Sequence, residues 1–178
     1  MQVKTGVDLA SYDKNGRLAL VVEIKSRQHT SADWAARMRG NLFAHGIVPN
    51  SEYFMLAMPN NLYLWHENGT GNETAEPDFI INTKPLFQRY LDPAIVDASS
   101  ISGKSLEILV GSWINDLIAM GLPDDLPEPQ RSLINASGLI DAIPPDHHAT
   151  APKPPPAPPA RAGFGSRVRH WAGAAAPH

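Results

Sequence analysis

A chain of 178 residues, 43% of them apolar, has material for one ordinary hydrophobic core and a single domain of roughly 140 residues. It contains no cysteine, which excludes a disulfide framework and thiolate metal sites. Its net charge of −3 argues against a general nucleic-acid binder. No charged-then-apolar leader opens the sequence and no apolar run approaches a membrane span, so the expected compartment is the cytoplasm. On that reading the glycosylation-like triplets at Asn68 and Asn72 are chance matches.

In chain order, the first predicted unit is a hairpin with strands over residues 3–12 and 17–25. Asp13-Lys14-Asn15-Gly16 is its turn, because Asn and Gly tolerate the left-handed backbone of tight connections. The second strand begins as a buried apolar run, residues 18–22, and ends in Glu23-Ile24-Lys25. Glu23 and Lys25 are two apart, so on a strand they emerge on one face. A carboxylate and an ammonium at the end of such a run need a partner, which is either a metal ion or each other. If the loop is four residues and Tyr12 pairs with Arg17, Asp8 lies opposite Val21 and shares that face. A three-residue loop with a glycine bulge puts Asp8 on the other face.

Gly6-Val7-Asp8 followed by Val22-Glu23-Ile24-Lys25-Ser26 resembles the PD-(D/E)XK nuclease superfamily, which includes restriction endonucleases and Holliday-junction resolvases. The resemblance spans roughly residues 1–66 and extends to small bacterial proteins of that superfamily. It implies a restriction-endonuclease-like α/β (α+β) domain, a central mixed β-sheet flanked by helices. It further implies that Asp8 and Glu23 are carboxylate ligands of Mg²⁺, for which Mn²⁺ substitutes, and that the Ile24 carbonyl adds an oxygen. Lys25 is then the residue that orients or helps deprotonate the attacking water and offsets transition-state charge. The substrate class implied is nucleic acid, DNA first. Many members place a helix before the first motif strand, often with an extra acid. Here Met1-Gln2-Val3-Lys4 leads almost directly into the strand. The alternative expectation is therefore a nuclease-fold binding module with weak or lost catalysis.

Thr30-Ser31-Ala32-Asp33 starts a helix, with a hydroxyl cap and an acid in the first turn. Trp34, Met38 and Leu42, joined by Ala35 and Phe43, form its apolar stripe, and Gly46 ends it. Arg37, Arg39 and Asn41 fall off that stripe. In the family this helix often presents a polar side chain to the scissile phosphate, which makes Arg37 the first substrate-binding candidate and Arg39 the second. Gln28 and His29, in the preceding loop, are placed to touch substrate. Residues 53–58 and 62–65 read as a strand pair, residues 67–78 as a polar loop, and Lys84-Pro85 as the opening of a short helix through Leu91.

From Ser105 to Met120 an amphipathic pattern predicts a helix whose stripe caps the sheet or forms a homodimer surface. Residues 98–105 fit a loose phosphate-loop pattern, making a nucleotide-binding protein that uses Lys104 a distant alternative; a plain helix cap at Ser102 or Ser105 explains the stretch better. Residues 144–178 are rich in Pro and Ala and read as a disordered tail, in which His147 and His148 lack further ligands for a metal site. Charge is unevenly spread. Residues 1–46 carry seven Lys and Arg against four acids, residues 47–148 four against fourteen, and the tail four against none. Positive charge gathered around the motif and in the tail suits a phosphate backbone.

Overall fold

The fold starts from a turn that builds itself. The Asp13 carboxylate accepts the backbone N–H groups of Asn15 and Arg17, each at 2.8 Å, and Gly16 takes φ +75. The computed structural model describes residues 6–68, 74–92, 100–101 and 103–143. Strands β1 (Leu9–Tyr12) and β2 (Leu18–Ile24) flank the turn, antiparallel. Two details differ from the expected pairing. Tyr12 pairs with Leu18 rather than Arg17, and the register then shifts, so that Ser11 pairs with Leu20 and Leu9 with Val22. The bulge, with Ala19 as its extra residue, moves the pairing on by one more place. Continued by one residue, the register sets Asp8 opposite Glu23, not Val21. Two single shifts restore the parity that places both carboxylates on one face.

Strand β3 (Ser51–Ala57) lies parallel to β2, with Glu23 beside Leu56. Parallel neighbours need a crossover, and helix α1 (Ala32–Ala44) supplies it. Strands β4 (Asn61–Asn68) and β5 (Phe79–Asn82) add on antiparallel, giving a five-stranded mixed sheet in sequence order. The chain is thus an α+β domain with a mixed sheet flanked by helices. Strand β5 was not expected. It has four residues of alternating exposure, and the polar stretch before it dominates the sequence pattern.

The sheet is covered on both faces. Val21, Phe54, Leu56, Tyr63 and Trp65 pack with Ala35 and Leu42 of α1. On the other face Val22, Met55, Leu64 and Ile81 meet α3 (Gly103–Met120) through Leu106, Val110, Trp113 and Leu117. That stripe caps the sheet, so it is not a free dimer surface. Helix α2 (Lys84–Phe87) continues into a 3-10 turn (Gln88–Tyr90), as Lys84-Pro85 foretold. Helices α4 (Glu128–Ser137) and α5 (Leu139–Ala142) were not read from the sequence; they join the α3 layer through Ile134 and Leu139. The proposed tail, residues 144–178, lies outside the described residues. No helix among the described residues is long and apolar enough to cross a membrane.

Within α1, Ser31 is the cap, its hydroxyl oxygen accepting the Trp34 N–H at 3.2 Å. The buried positions are Ala35, Ala36, Arg39, Gly40 and Leu42. The stripe is therefore rotated by about one residue from the expected one, and Arg39 lies on it rather than off it.

Phe54 has no exposed surface, and its ring sits 5.8 Å from Phe43 and 5.6 Å from Trp65. Phe54→Ala is expected to lower unfolding free energy by about 3–5 kcal/mol, read from the urea midpoint at unchanged slope.

Candidate metal centre

Glu23 sits on a strand flanked on both sides and roofed by α1, and only 4% of its surface is exposed. One carboxylate oxygen, Oε1, receives the Lys25 ammonium at 2.5 Å. The other, Oε2, is buried without a hydrogen-bond partner among the described residues. Burial pushes the Glu23 carboxyl above its ordinary value. Lys25 opposes that rise, and the neighbouring charge of Asp8 adds to it.

Asp8 reaches the same point from the edge. It is exposed, and its Oδ2 accepts the Ile24 N–H at 2.7 Å, just past the last paired residue of β1. Along an extended strand the N–H and C=O of one residue point the same way, so the Ile24 carbonyl is also directed toward the Asp8 side. Lys25 is anchored on its other side, its N–H donating to the Ala57 carbonyl at 3.0 Å. Asp8, Glu23, Ile24 and Lys25 therefore converge at one end of β2.

The loop that follows is fixed by a residue two strands away. Tyr63 pairs with Leu56, which pairs with Glu23, so all three share a transverse row beneath α1. The Tyr63 hydroxyl donates to the Thr30 carbonyl at 2.7 Å and meets the Thr30 hydroxyl at 2.9 Å. That latch holds residues 25–30 over the row, with His29 in the left-handed region at φ +53. Arg27, on this loop, lies 5.2 Å from the Trp34 ring centroid. Neither the Tyr63 latch nor Arg27 was singled out from sequence. The tyrosine gave no local signal, whereas Arg27 belonged to the basic cluster around the motif.

The helix candidates separate. Arg37 is exposed and paired with Asp33 at 2.5 Å, one turn away. Arg39 is buried between α1 and the sheet, 4.8 Å from the Phe43 ring and 5.6 Å from that of Trp65. Burial draws its guanidinium down from its ordinary value, with Asp78 opposing. Its position is that of a core residue carrying a charge, not of a side chain offered to substrate. Gln28 is exposed in the loop. Of the phosphate-loop stretch, residues 98, 99 and 102 lie outside the described residues. Gly103, Lys104 and Ser105 form the first turn of α3, against Ser26.

A hard divalent cation suits this donor set. It needs one or two carboxylates and keeps waters for its remaining positions, and the unpartnered buried Oε2 of Glu23 is an oxygen ready to be used. Only two carboxylates converge, and no group of three or more His, Cys, Asp and Glu that would hold a metal occurs among the described residues. The chain matches no protein-family model, no curated protein and no solved structure.

Two outcomes are expected. The folded Glu23 holds its proton more tightly than the unfolded reference of 4.5, so its contribution to stability falls as pH rises from 4.5 through the folded value. The melting temperature of Glu23→Gln minus that of the parent is expected to grow with pH across that window and then level off. A difference flat in pH contradicts the assignment. Separately, Arg39→Ala is expected to destabilise by roughly 1–3 kcal/mol through lost packing, while Arg37→Ala stays within about 0.5 kcal/mol. Paired urea titrations of the two variants check this.

Proposed function

We propose that this chain is a metal-dependent nuclease of the PD-(D/E)XK, restriction-endonuclease-like kind, hydrolysing phosphodiester bonds of DNA. The observation that carries the reading is Glu23: a buried carboxylate with one oxygen held by Lys25, the other unpartnered, and Asp8 beside it. Burial of an incompletely paired carboxylate works against stability, and a site that binds cations is a reason to keep one.

Asp8 and Glu23 would hold Mg²⁺, or Mn²⁺ in its place, with the Ile24 carbonyl as a third protein oxygen. Bound there, Mg²⁺ supplies Lewis acidity toward a phosphodiester oxygen. The protein's own part is electrostatic and positional. Glu23 fixes the direction of the Lys25 ammonium, which is one-third exposed and so open to a phosphate at the mouth of the site. Lys25 orients the water that attacks phosphorus and offsets the negative charge gathering on the phosphate oxygens. Arg27, two residues on and supported by the Trp34 ring, adds a second cation for the backbone.

A second reading keeps the fold and the ion site but not efficient catalysis. The two-carboxylate donor set, with Asp8 already accepting the Ile24 N–H, favours it.

Calorimetric titration with Mn²⁺ first tests the ion site that both readings share. The parent is expected to bind, and Asp8→Ala and Glu23→Gln to lose binding. Incubation with duplex, single-stranded and branched DNA and Mg²⁺ follows, and Lys25→Met is expected to lower the cleavage rate roughly 100-fold or more. Metal binding without cleavage of any substrate leaves the second reading. No metal binding in the parent, with or without DNA, overturns both.

A further inference from the structure

On the opposite side of the sheet from Glu23, the α2 segment and the α3–α4 connection enclose a groove of about 780 Å³. Pro85, Tyr90, Trp113, Asp116, Pro123 and Pro127 are among its walls. Its shape is fixed by polar bonds. The Tyr90 hydroxyl donates to Asp116 Oδ2 at 2.6 Å, and one Arg131 nitrogen, Nη2, donates to the carbonyls of Pro123 and Asp124 at 2.8 and 2.6 Å. The rim is acidic. Asp124 and Asp125 are both exposed, and the guanidinium facing Asp125, from Arg89, stands off at 3.9 Å.

An aromatic and proline-lined groove with a negative rim has a defined complement: a proline-rich strand flanked by cations. Proline sequences favour the polyproline II helix, whose low conformational entropy makes docking on aromatic walls inexpensive. This chain carries such a segment. Lys153-Pro154-Pro155-Pro156-Ala157-Pro158-Pro159-Ala160-Arg161 has a cation at each end and no acid. Nine residues separate it from Ile143, the last described residue. Spanned as polyproline II they cover roughly 28 Å. Ile143 packs in the same core cluster as Leu86, Trp113, Leu117 and Leu126 of the groove, so the chain leaves the domain on the groove's own layer and that span is enough to reach it.

We propose that residues 153–161 dock into this groove of the same chain, Lys153 and Arg161 facing the Asp124 and Asp125 rim and the prolines lying on Tyr90, Pro123 and Pro127, above the buried edge of Trp113. Tethering makes the event intramolecular, at an effective concentration on the order of millimolar, so a weak intrinsic contact is enough to populate it. The metal site faces the other layer, and the inference does not depend on its function.

The full-length chain tests this. Zero-length carbodiimide coupling on a mixture of ¹⁴N- and ¹⁵N-labelled protein, followed by digestion and mass spectrometry, is expected to join Lys153 to Asp124 or Asp125 within one chain. Isotopically mixed products would instead place a second copy in the groove and overturn the intrachain assignment. Links spread evenly to the remote, exposed Asp33 and Glu52 overturn the docking itself. As an independent readout, the charge reversals Lys153→Glu and Arg161→Glu together are expected to shift the Trp113 indole N–H resonance and leave those of Trp34 and Trp65 in place. Those substitutions lie outside the packed domain, so an unmoved Trp113 signal counts against the proposal.

Discussion

A buried carboxylate on a central strand constrains everything around it. Glu23 is flanked by Leu56 of β3 on one side and by Asp8, just before β1, on the other, yet only one of its oxygens is paired among the described residues. A well-packed apolar residue at that position would serve the core better. The fold nevertheless supplies one counterion, Lys25, two residues along the same strand, where strand geometry makes the meeting unavoidable. The β2–α1–β3 crossover then closes the face above. The burial of the Glu23–Lys25 pair therefore follows from topology: a parallel neighbour demands a crossover helix, and that helix falls on the face bearing both residues.

The two layers divide the work. The larger core cluster lies between the sheet and α3, α4 and α5, where nearly every inward side chain is apolar. Below α1 the core is smaller and holds two charged residues, Glu23 and Arg39. They do not serve each other. Arg39 rests on Phe43 and Trp65, and Asp78 is the acid whose charge it feels, whereas Glu23 answers to Lys25 and Asp8. The α3 side carries the stability that lets the α1 side hold charge.

What could be read in the sequence follows the strength of local signals. The apolar run of β2, the Glu-x-Lys spacing, the β3–β4 strand pair, the Pro-opened α2 and the long stripe of α3 were all legible, because period and turn chemistry are local. The register was not. Tyr12 pairs one residue farther along than the turn suggested, and the bulge at Ala19 leaves no mark in composition. Arg39 was misplaced because a charged residue is normally assigned to the solvent side. Its burial depends on Phe43 and Trp65, the second of which is 26 positions away on another strand and joins it only after folding. Strand β5 and helix α5 have four residues each, too few for periodicity to decide; helix α4 has ten, with Pro129 in its first turn and Gly138 past its end, signals that are local.

The same distinction explains why, in the nuclease reading, Lys25 and not Arg39 is the cation offered to a phosphate. A buried guanidinium over two rings is fixed by packing, and withdrawing it would open the layer beneath α1. Lys25 has its ammonium on Glu23 but one-third of its side chain in solvent, and its backbone is pinned by Ala57. An anchored strand and the Glu23 contact hold the ammonium in place at the edge of the buried layer. In the nuclease reading, a divalent ion held by Asp8 and Glu23 would add positive charge beside the same carboxylate. On that reading, the buried Oε2 of Glu23, the Lys25 ammonium held at Oε1 and the exposed Asp8 are therefore parts of one electrostatic balance.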